Sequence, residues 1–164
     1  MIRAEANSAL DAQSLQIGSV RLTERFVRSD PPSAADTLAL RDAIDGALRG
    51  AGWNYRPDTM VGIAGIVTTI CAVSAGIAGE SLHAAHGRRV RLDEVRGVRE
   101  LVGAKTIADR RNLTGIVEGR EDVIFAGTMI LERVMEYFHA REVIVSNQGV
   151  RWGLVWREID SLSR

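Results

Sequence analysis

The chain has 164 residues, of which 46% are hydrophobic, enough for one domain with a substantial core or for two small lobes. Its 21 basic and 21 acidic side chains cancel, which removes the usual electrostatic footprint of a nucleic-acid binder. The single cysteine, Cys71, excludes an internal disulfide framework and indicates a reducing, cytoplasmic setting. Residues 1–13 lack the apolar run of a secretory leader, so we expect no secretion.

The first part of the chain predicts a strand, a helix and a further strand. Residues 1–14 are polar and alanine-rich and predict a strand remnant with a turn, whereas residues 17–27 alternate apolar and polar side chains, as in a strand with one buried face. Ser33 and Asp36 have the spacing of a capping box, and apolar residues follow at helical spacing until Gly52. With the strand that follows, this order predicts a βαβ unit with parallel pairing.

An uncharged stretch, residues 59–79, is the element around which we expect the chain to be organised. It begins with a short β-branched run, turns through glycines and continues at helical spacing, which predicts strand, tight turn and helix. At such a turn, glycines let backbone N–H groups and a helix N-terminus approach a phosphate closely. The candidate phosphate-binding residues are Gly62, Gly65, Ile66, Val67 and Thr68.

Two other interpretations of this stretch stay open on the sequence alone. Residues 60–79 are long enough to cross a bilayer, although four glycines, two threonines and a serine make them only moderately apolar. The glycines also fit a packing role without any ligand, because a Gly-x-x-Gly turn that lacks a P-loop lysine is a weak motif. Cys71 lies in the predicted helix, where we expect it to be a small core residue.

The second half of the chain predicts helices and one strand. His83 and His86 lack the further ligands of a metal set, so we expect surface or capping roles. The arginines at positions 88–91 precede two acidic residues and predict a solvated helix start. The later elements are a capping box over residues 106–109, the longest helix over residues 121–140, a strand over Glu142–Ser146 and an apolar terminal helix.

Five stretches carry a family resemblance. They are SLQIGSVRLTERFVRSDPP (14–32), VGIAGIVTTICA (61–72), the His86-Gly87 pair, REDVIFAG (120–127) and VIVSNQGVRWGL (143–154). In this order they resemble the exopolyphosphatase and guanosine pentaphosphate phosphohydrolase (Ppx/GppA) family over nearly the whole chain. The resemblance is more specific than any one motif.

The resemblance implies an α/β fold, namely a ribonuclease-H-like lobe of the actin-like ATPase superfamily. It identifies residues 1–164 as the second, C-terminal lobe, incomplete at its N-terminus because the first strand is missing. Complete family enzymes have two lobes around a cleft and hydrolyse terminal phosphoanhydride bonds of polyphosphate or guanosine pentaphosphate with Mg²⁺. The family's glycine-rich phosphate loops and catalytic glutamate are not found in this sequence. We therefore expect no catalytic residue, no metal site and no activity in this chain alone.

One position departs from the family pattern inside the central turn. Ile66 stands where the family usually has threonine, so a hydroxyl that could contact phosphate is replaced by an apolar side chain. Thr68 and Thr69 remain as possible helix caps. Three carboxylates without a catalytic motif are expected to be solvated or to cap helices: Glu80, Asp122 and Glu132.

Two functional hypotheses follow. In the first, the chain is half of a phosphohydrolase and needs the missing first lobe as its partner. In the second, it is a non-catalytic binding or dimerising module, or a degenerate remnant of the family, with a second copy or another partner covering the exposed sheet edge. That edge predicts self-association or poor solubility. Neither hypothesis involves nucleic acid or a membrane.

Overall fold

The computed structural model describes residues 1–5, 8–63, 65–78 and 83–162. Its strands are β1 (Ile2–Glu5), β2 (Ser8–Ala12), β3 (Val61–Ile63), β4 (Arg89–Arg91) and β5 (Glu142–Ser146). Its helices are α1 (Ser19–Phe26), α2 (Ala34–Ala51), α3 (Gly65–Ala75), α4 (Leu92–Gly103), α5 (Ile107–Arg110), α6 (Ile124–Tyr137) and α7 (Val150–Leu162). The α/β class predicted from the sequence is confirmed.

The described strands form two separate sheets. β1 and β2 pair antiparallel as a hairpin whose residues are all exposed. β3 pairs parallel with β5, placing Val61 opposite Ile144, and β4 pairs antiparallel with β5, which gives the order β3-β5-β4. Within the described residues β3 has no second strand neighbour, so one edge of the larger sheet ends at this strand.

The core lies where α6 meets α1, α2, α3 and α4 beside the three-stranded sheet. Fully buried side chains come from several of these elements: Leu40, Ile44, Val95, Val102, Ile124, Met135, Val143 and Val145. Cys71 is buried among them, as predicted, and burial raises the pKa of its thiol. The wide apolar face predicted for α6 is confirmed, because this helix contributes the most buried residues.

Helix α2 begins and ends as its capping pattern predicts. The Ser33 hydroxyl accepts from the Asp36 N–H at 3.1 Å, and the Asp36 carboxylate accepts from the Ser33 N–H at 3.1 Å. Gly52 closes the helix with a left-handed φ of 69°. Asp36 also accepts hydrogen bonds from the hydroxyl and backbone N–H of Ser29. These bonds, the one from the Ser29 hydroxyl above all, hold the pKa of Asp36 well below its usual range.

The strand predicted over residues 17–27 is wrong, because this stretch forms α1. Leu22 is buried and Phe26, four residues later, packs against the core, whereas Val20 is exposed. The apolar side chains therefore follow the 3.6-residue helical period, and the short alternation around Val20 is incidental. The βαβ unit that depended on this strand is also wrong. The parallel partner of β3 is β5, which comes later in the chain.

At two other places long-range contacts add structure that the local pattern does not predict. The solvated helix start expected after the arginines at positions 88–91 is confirmed, because α4 begins at Leu92 with the exposed Arg91 as its N-cap. The strand that these residues also form, β4 with Val90 buried, was not predicted. Glu132 was expected to be solvated, but it is buried on α6, where it accepts a hydrogen bond from Arg99 of α4. Asp122 is exposed as expected, and Glu80 lies outside the described residues.

Several element boundaries also differ from prediction. α6 has 14 residues, so the 18-residue α2 is the longest described helix. The capping box of residues 106–109 opens only the single turn α5. β5 and α7 are confirmed. The membrane interpretation of residues 60–79 is wrong: the stretch contains a three-residue strand and an 11-residue helix, and no described helix is long and apolar enough to span a membrane.

Candidate functional site

The predicted ligand-binding turn lies where β3 ends and α3 begins. Ile63, the last residue of β3, pairs with Ser146 of β5, and Gly65 is the first residue of the helix. Residue 64, between them, is not among the described residues. The turn therefore occupies the carboxyl end of a parallel strand pair, the edge at which open α/β folds bind ligands.

Both glycines of the turn lie in close packing contacts. A Cβ atom on Gly62 would lie 2.8 Å from Val67 Cγ1 and 3.1 Å from a methyl carbon of Val143. A Cβ atom on Gly65 would lie 2.5 Å from the guanidinium carbon of Arg120. These distances are shorter than van der Waals contact. At Gly62 the neighbours are branched core side chains, whereas at Gly65 the neighbour is the end of the flexible Arg120 side chain, which an alanine would displace. The packing interpretation thus explains both glycines.

Arg120 reaches the turn from the segment that precedes α6. Its Nη1 donates hydrogen bonds to the Gly65 carbonyl oxygen and, at 2.7 Å, to the Thr69 hydroxyl. The other N–H groups of this guanidinium make no hydrogen bond to the described residues, and the side chain is only partly buried. Arg120 therefore adds a positive charge beside the first turn of α3, with N–H groups that bond none of the described residues.

The threonine hydroxyls of α3 point into the structure. Thr68 and Thr69 are both buried, and their hydroxyls donate to the Gly65 carbonyl oxygen at 2.9 and 2.8 Å. The expectation that they cap the helix is wrong, since they bond a carbonyl of the preceding turn and not the N–H groups of the helix start. The Thr68 and Thr69 hydroxyls therefore give their donor hydrogens to this carbonyl and not to a phosphate at the turn.

Ile66 packs into the interface between α3 and α6. A Cβ atom on Gly127 of α6 would lie 2.6 Å from Ile66 Cγ2, so the two helices approach closely at this pair. Ile66 is partly buried against the core, as is Val67. The side chains of residues 66 and 67 therefore fill the interior, and only their backbone groups remain for the ligand-facing side of the turn.

The electrostatics of the turn favour an anion. The first N–H groups of a helix have no partner within the helix and carry a partial positive charge. In α3 this end lies beside the Arg120 guanidinium, so dipole and full charge act in the same direction. The arrangement has donors for phosphate oxygens but no base or nucleophile among the residues described above.

A metal fits the described residues poorly. No group of three or more His, Cys, Asp or Glu side chains is clustered within residues 1–5, 8–63, 65–78 and 83–162. His83 and His86 are both exposed, and His86 Nδ1 accepts a hydrogen bond of 3.3 Å from the backbone N–H of Asn147. We therefore assign no step at this turn to Mg²⁺.

Arg120 is the site residue that sequence reasoning missed. In the sequence it is only the first residue of the stretch REDVIFAG, and it lies 55 positions from Gly65 in the chain. The only signal in the sequence is its position, since it follows a glycine and comes shortly before a helix with a wide apolar face. Nothing in the sequence, however, indicates which of the many arginines meets the turn.

Known protein families and proteins match this chain over most of its length. The family model of the Ppx/GppA phosphatase family matches residues 1–162. Exopolyphosphatase 1 of Mycobacterium leprae is 31% identical over 157 residues, which are 92% of this chain and 45% of that protein. Exopolyphosphatase 2 of Mycobacterium tuberculosis is 31% identical over 132 residues, which are 78% of this chain and 41% of that protein.

Solved structures show the same fold. The crystal structure of the Aquifex aeolicus Ppx/GppA family member superposes with a TM-score of 0.92 at 24% identity, over 99% of this chain and 53% of that one. An exopolyphosphatase from Cytophaga hutchinsonii gives a TM-score of 0.79 at 24% identity, over 94% of this chain and 51% of that one. The chain thus spans about half the length of the relatives it matches.

Proposed function

The chain belongs to the Ppx/GppA phosphatase family, and from this membership we propose that residues 1–164 form the second, C-terminal lobe of a two-lobe phosphohydrolase. The complete enzyme cleaves terminal phosphoanhydride bonds of polyphosphate or guanosine pentaphosphate in the cytoplasm, with Mg²⁺ held outside this lobe. The observation that carries the proposal is a family match along residues 1–162 combined with coverage of about half of each relative.

The exposed edge of β3 supports the proposal that the complete second lobe has one further strand beside β3. Val61 and Ile63 lie on the same face of β3 and are about half exposed, at 55% and 46%. The hairpin of β1 and β2 is exposed on both faces, and an isolated two-stranded hairpin is only marginally stable in water. A strand between the hairpin and β3 would satisfy both edges and join the two sheets.

At the turn, we propose that Arg120 and the N-terminus of α3 bind a terminal phosphate group. A phosphate there would accept hydrogen bonds from the guanidinium N–H groups that bond no described residue and from the backbone N–H groups of Gly65, Ile66 and Val67. These donors would neutralise charge as the phosphoanhydride bond breaks, while the water and its base come from the other lobe. This lobe thus holds the phosphate without a catalytic residue of its own.

The experiment measures hydrolysis of polyphosphate and guanosine pentaphosphate with Mg²⁺, by this chain alone and mixed with the half of Mycobacterium leprae exopolyphosphatase 1 that lies outside the match. We expect no activity for the chain alone and activity on mixing. In the mixture, Arg120→Ala should lower kcat/KM by about 100-fold. The control Arg141→Ala alters an exposed arginine at the amino end of β5, away from the turn, and should change nothing.

A second function is favoured by the packing of the turn. Ile66 replaces a hydroxyl with an apolar side chain locked against Gly127, and Arg120 already bonds Gly65 and Thr69. A turn whose side chains are held by contacts within the protein is also expected in a non-catalytic binding or dimerising module. Hydrolysis by the isolated chain would contradict the two-lobe proposal, and a stable but inactive complex with the other half would favour the module.

A further inference from the structure

The carboxyl end of β5 lies beside the ligand-facing turn. In the parallel pairing, Ile63 at the end of β3 is opposite Ser146 at the end of β5. Asn147, the next residue along the chain, therefore leaves the sheet at the same edge as the turn between β3 and α3. Because adjacent strands are only about 4.8 Å apart, a side chain held at Asn147 is close to any ligand bound at the turn.

His86 is the side chain held at this position. The chain just before β4 continues alongside β5, since the Gly87 N–H donates to the Val145 carbonyl oxygen at 2.8 Å. The imidazole of His86 reaches the end of β5, where its Nδ1 accepts a hydrogen bond of 3.3 Å from the Asn147 N–H. The ring is exposed to solvent at this edge of the sheet.

The hydrogen bond with Asn147 determines which ring nitrogen carries the proton. A backbone N–H can only donate, so Nδ1 is the acceptor and the neutral ring carries its proton on Nε2. Within the part of the chain that the structure describes, Nε2 makes no hydrogen bond. His86 thus presents an oriented and exposed N–H donor at the edge of the sheet that contains the turn.

The position of this donor suits a ligand with more than one phosphate group. A terminal phosphate at the N-terminus of α3 already meets Arg120 and the first N–H groups of that helix. In the sheet order β3-β5-β4, His86 precedes β4 and lies across β5 from this turn. Its Nε2–H is therefore placed for a phosphate further along the ligand, whose charged oxygens are strong acceptors.

We propose that His86 is a further ligand-binding residue, and that its Nε2–H donates to a phosphate group that follows the terminal one in a polyphosphate or nucleotide polyphosphate. This inference rests on the proposed phosphate site at the turn and adds a contact from a different segment of the chain. A single phosphate uses the Arg120 end of the site alone, whereas a chain of phosphates uses both ends. His86 thereby favours ligands with several consecutive phosphates.

Two substitutions of His86 separate ligand contact from structural support. His86→Asn keeps an acceptor near the position of Nδ1 for the Asn147 N–H but removes the donor at Nε2. His86→Gln keeps a donor near the position of Nε2 but removes the acceptor at Nδ1. The matched control is His83→Asn, which alters another exposed histidine three residues earlier. Because neither histidine is buried, all three variants should keep the thermal midpoint of the wild-type chain.

Amide NMR titrations of the 164-residue chain measure Kd for inorganic phosphate, tripolyphosphate and guanosine pentaphosphate. His86→Asn should raise Kd for tripolyphosphate about 10-fold and leave Kd for inorganic phosphate unchanged. It should weaken guanosine pentaphosphate binding equally, because the contact is with phosphate and not with the base. His86→Gln and His83→Asn should keep the wild-type affinities.

Three results would overturn the inference. The first is wild-type affinity for tripolyphosphate in His86→Asn. The second is a loss in His86→Gln as large as that in His86→Asn, because His86 would then only support the chain at the end of β5. The third is an effect on guanosine pentaphosphate alone, which would indicate recognition of the nucleoside.

Arg120→Ala in the same titrations keeps this inference distinct from the proposed function. This variant should weaken binding of all three probes, inorganic phosphate included. If the wild-type chain binds none of them, the phosphate site at the turn is wrong and the His86 contact is wrong with it. If binding depends on Arg120 but not on His86, the site at the turn stands and only the His86 contact is wrong.

Discussion

Replacing Gly65 by alanine tests whether Arg120 clamps the ligand-facing turn. The new Cβ would lie 2.5 Å from the guanidinium carbon and 2.7 Å from Nη1, so the arginine must leave its place. The clash is with the far end of a flexible side chain, and Gly65 does not have a left-handed φ, so the backbone itself accepts alanine. The expected cost is therefore the loss of the hydrogen bonds from Arg120 to Gly65 and Thr69.

The change in the free energy of unfolding has two parts, the lost hydrogen bonds and the lower backbone entropy of alanine in the unfolded state. Hydrogen bonds of a charged group contribute about 1.5–3 kcal/mol, and for this partly buried arginine we take about 2 kcal/mol for the clamp. Alanine in place of glycine returns about 0.4–1 kcal/mol through the unfolded state. Gly65→Ala should thus destabilise the wild-type chain by about 1 kcal/mol. In an Arg120→Ala background it should stabilise by about 0.5 kcal/mol, because nothing is left to displace.

Urea unfolding of the two single variants, the double variant and the wild type measures this coupling. We expect an interaction energy of about 1.5–2 kcal/mol. Gly97→Ala is the control, since a Cβ on this α4 glycine meets no atom within 4 Å and should be mildly stabilising in both backgrounds. An interaction energy within about 0.5 kcal/mol of zero would show that Arg120 does not clamp the turn, and the phosphate site proposed there would lose its cation.

Three further predictions concern single positions. Ile66→Thr should lower the free energy of unfolding by about 1 kcal/mol in urea and should not tighten phosphate binding in an NMR titration, because the new hydroxyl would lie against Gly127. Tighter phosphate binding by this variant would contradict the prediction. Arg110→Met should cost about 3 kcal/mol, since it removes buried donors to two backbone carbonyl oxygens, whereas the exposed Arg157→Met should change little in the same urea experiment. Asp36 has a depressed pKa in the folded state, so its contribution is present above the unfolded pKa and fades as pH falls; the stability difference from Asp36→Asn should shrink below about pH 4, and a constant difference would contradict this.

Local signals were sufficient for the elements whose causes are local. The Ser33–Asp36 capping box determines where α2 begins, and the left-handed Gly52 determines where it ends. Each signal involves only residues next to that end of the helix. The β-branched run Glu142–Ser146 is a strand because its alternate residues, Val143 and Val145, are both fully buried. Such patterns are read directly from neighbouring residues, and they were predicted with their correct bounds.

Elements that depend on distant partners were not predictable in this way. In α1 the short alternation around Val20 matched a strand, and only the packing of Leu22 on the core selects the helix. β4 is a strand because Val90 and its neighbours pair with β5, more than 50 residues away in the chain. Glu132 is buried because α4 brings an arginine to it. In each case a tertiary contact overrides the local pattern.

The same division applies to the candidate site. The turn and its glycines were found because a strand, a Gly-x-x-Gly turn and a helix are contiguous in the sequence. The decisive side chain was not found, because Arg120 arrives from a separate segment. This changes what the departure at position 66 means. A threonine there would lie in the α3–α6 interface beside Gly127, whereas phosphate would meet backbone N–H groups and the Arg120 guanidinium. The missing hydroxyl therefore counts against ligand binding less than the sequence implied, and the charge of Arg120 becomes the property that decides whether the turn binds phosphate.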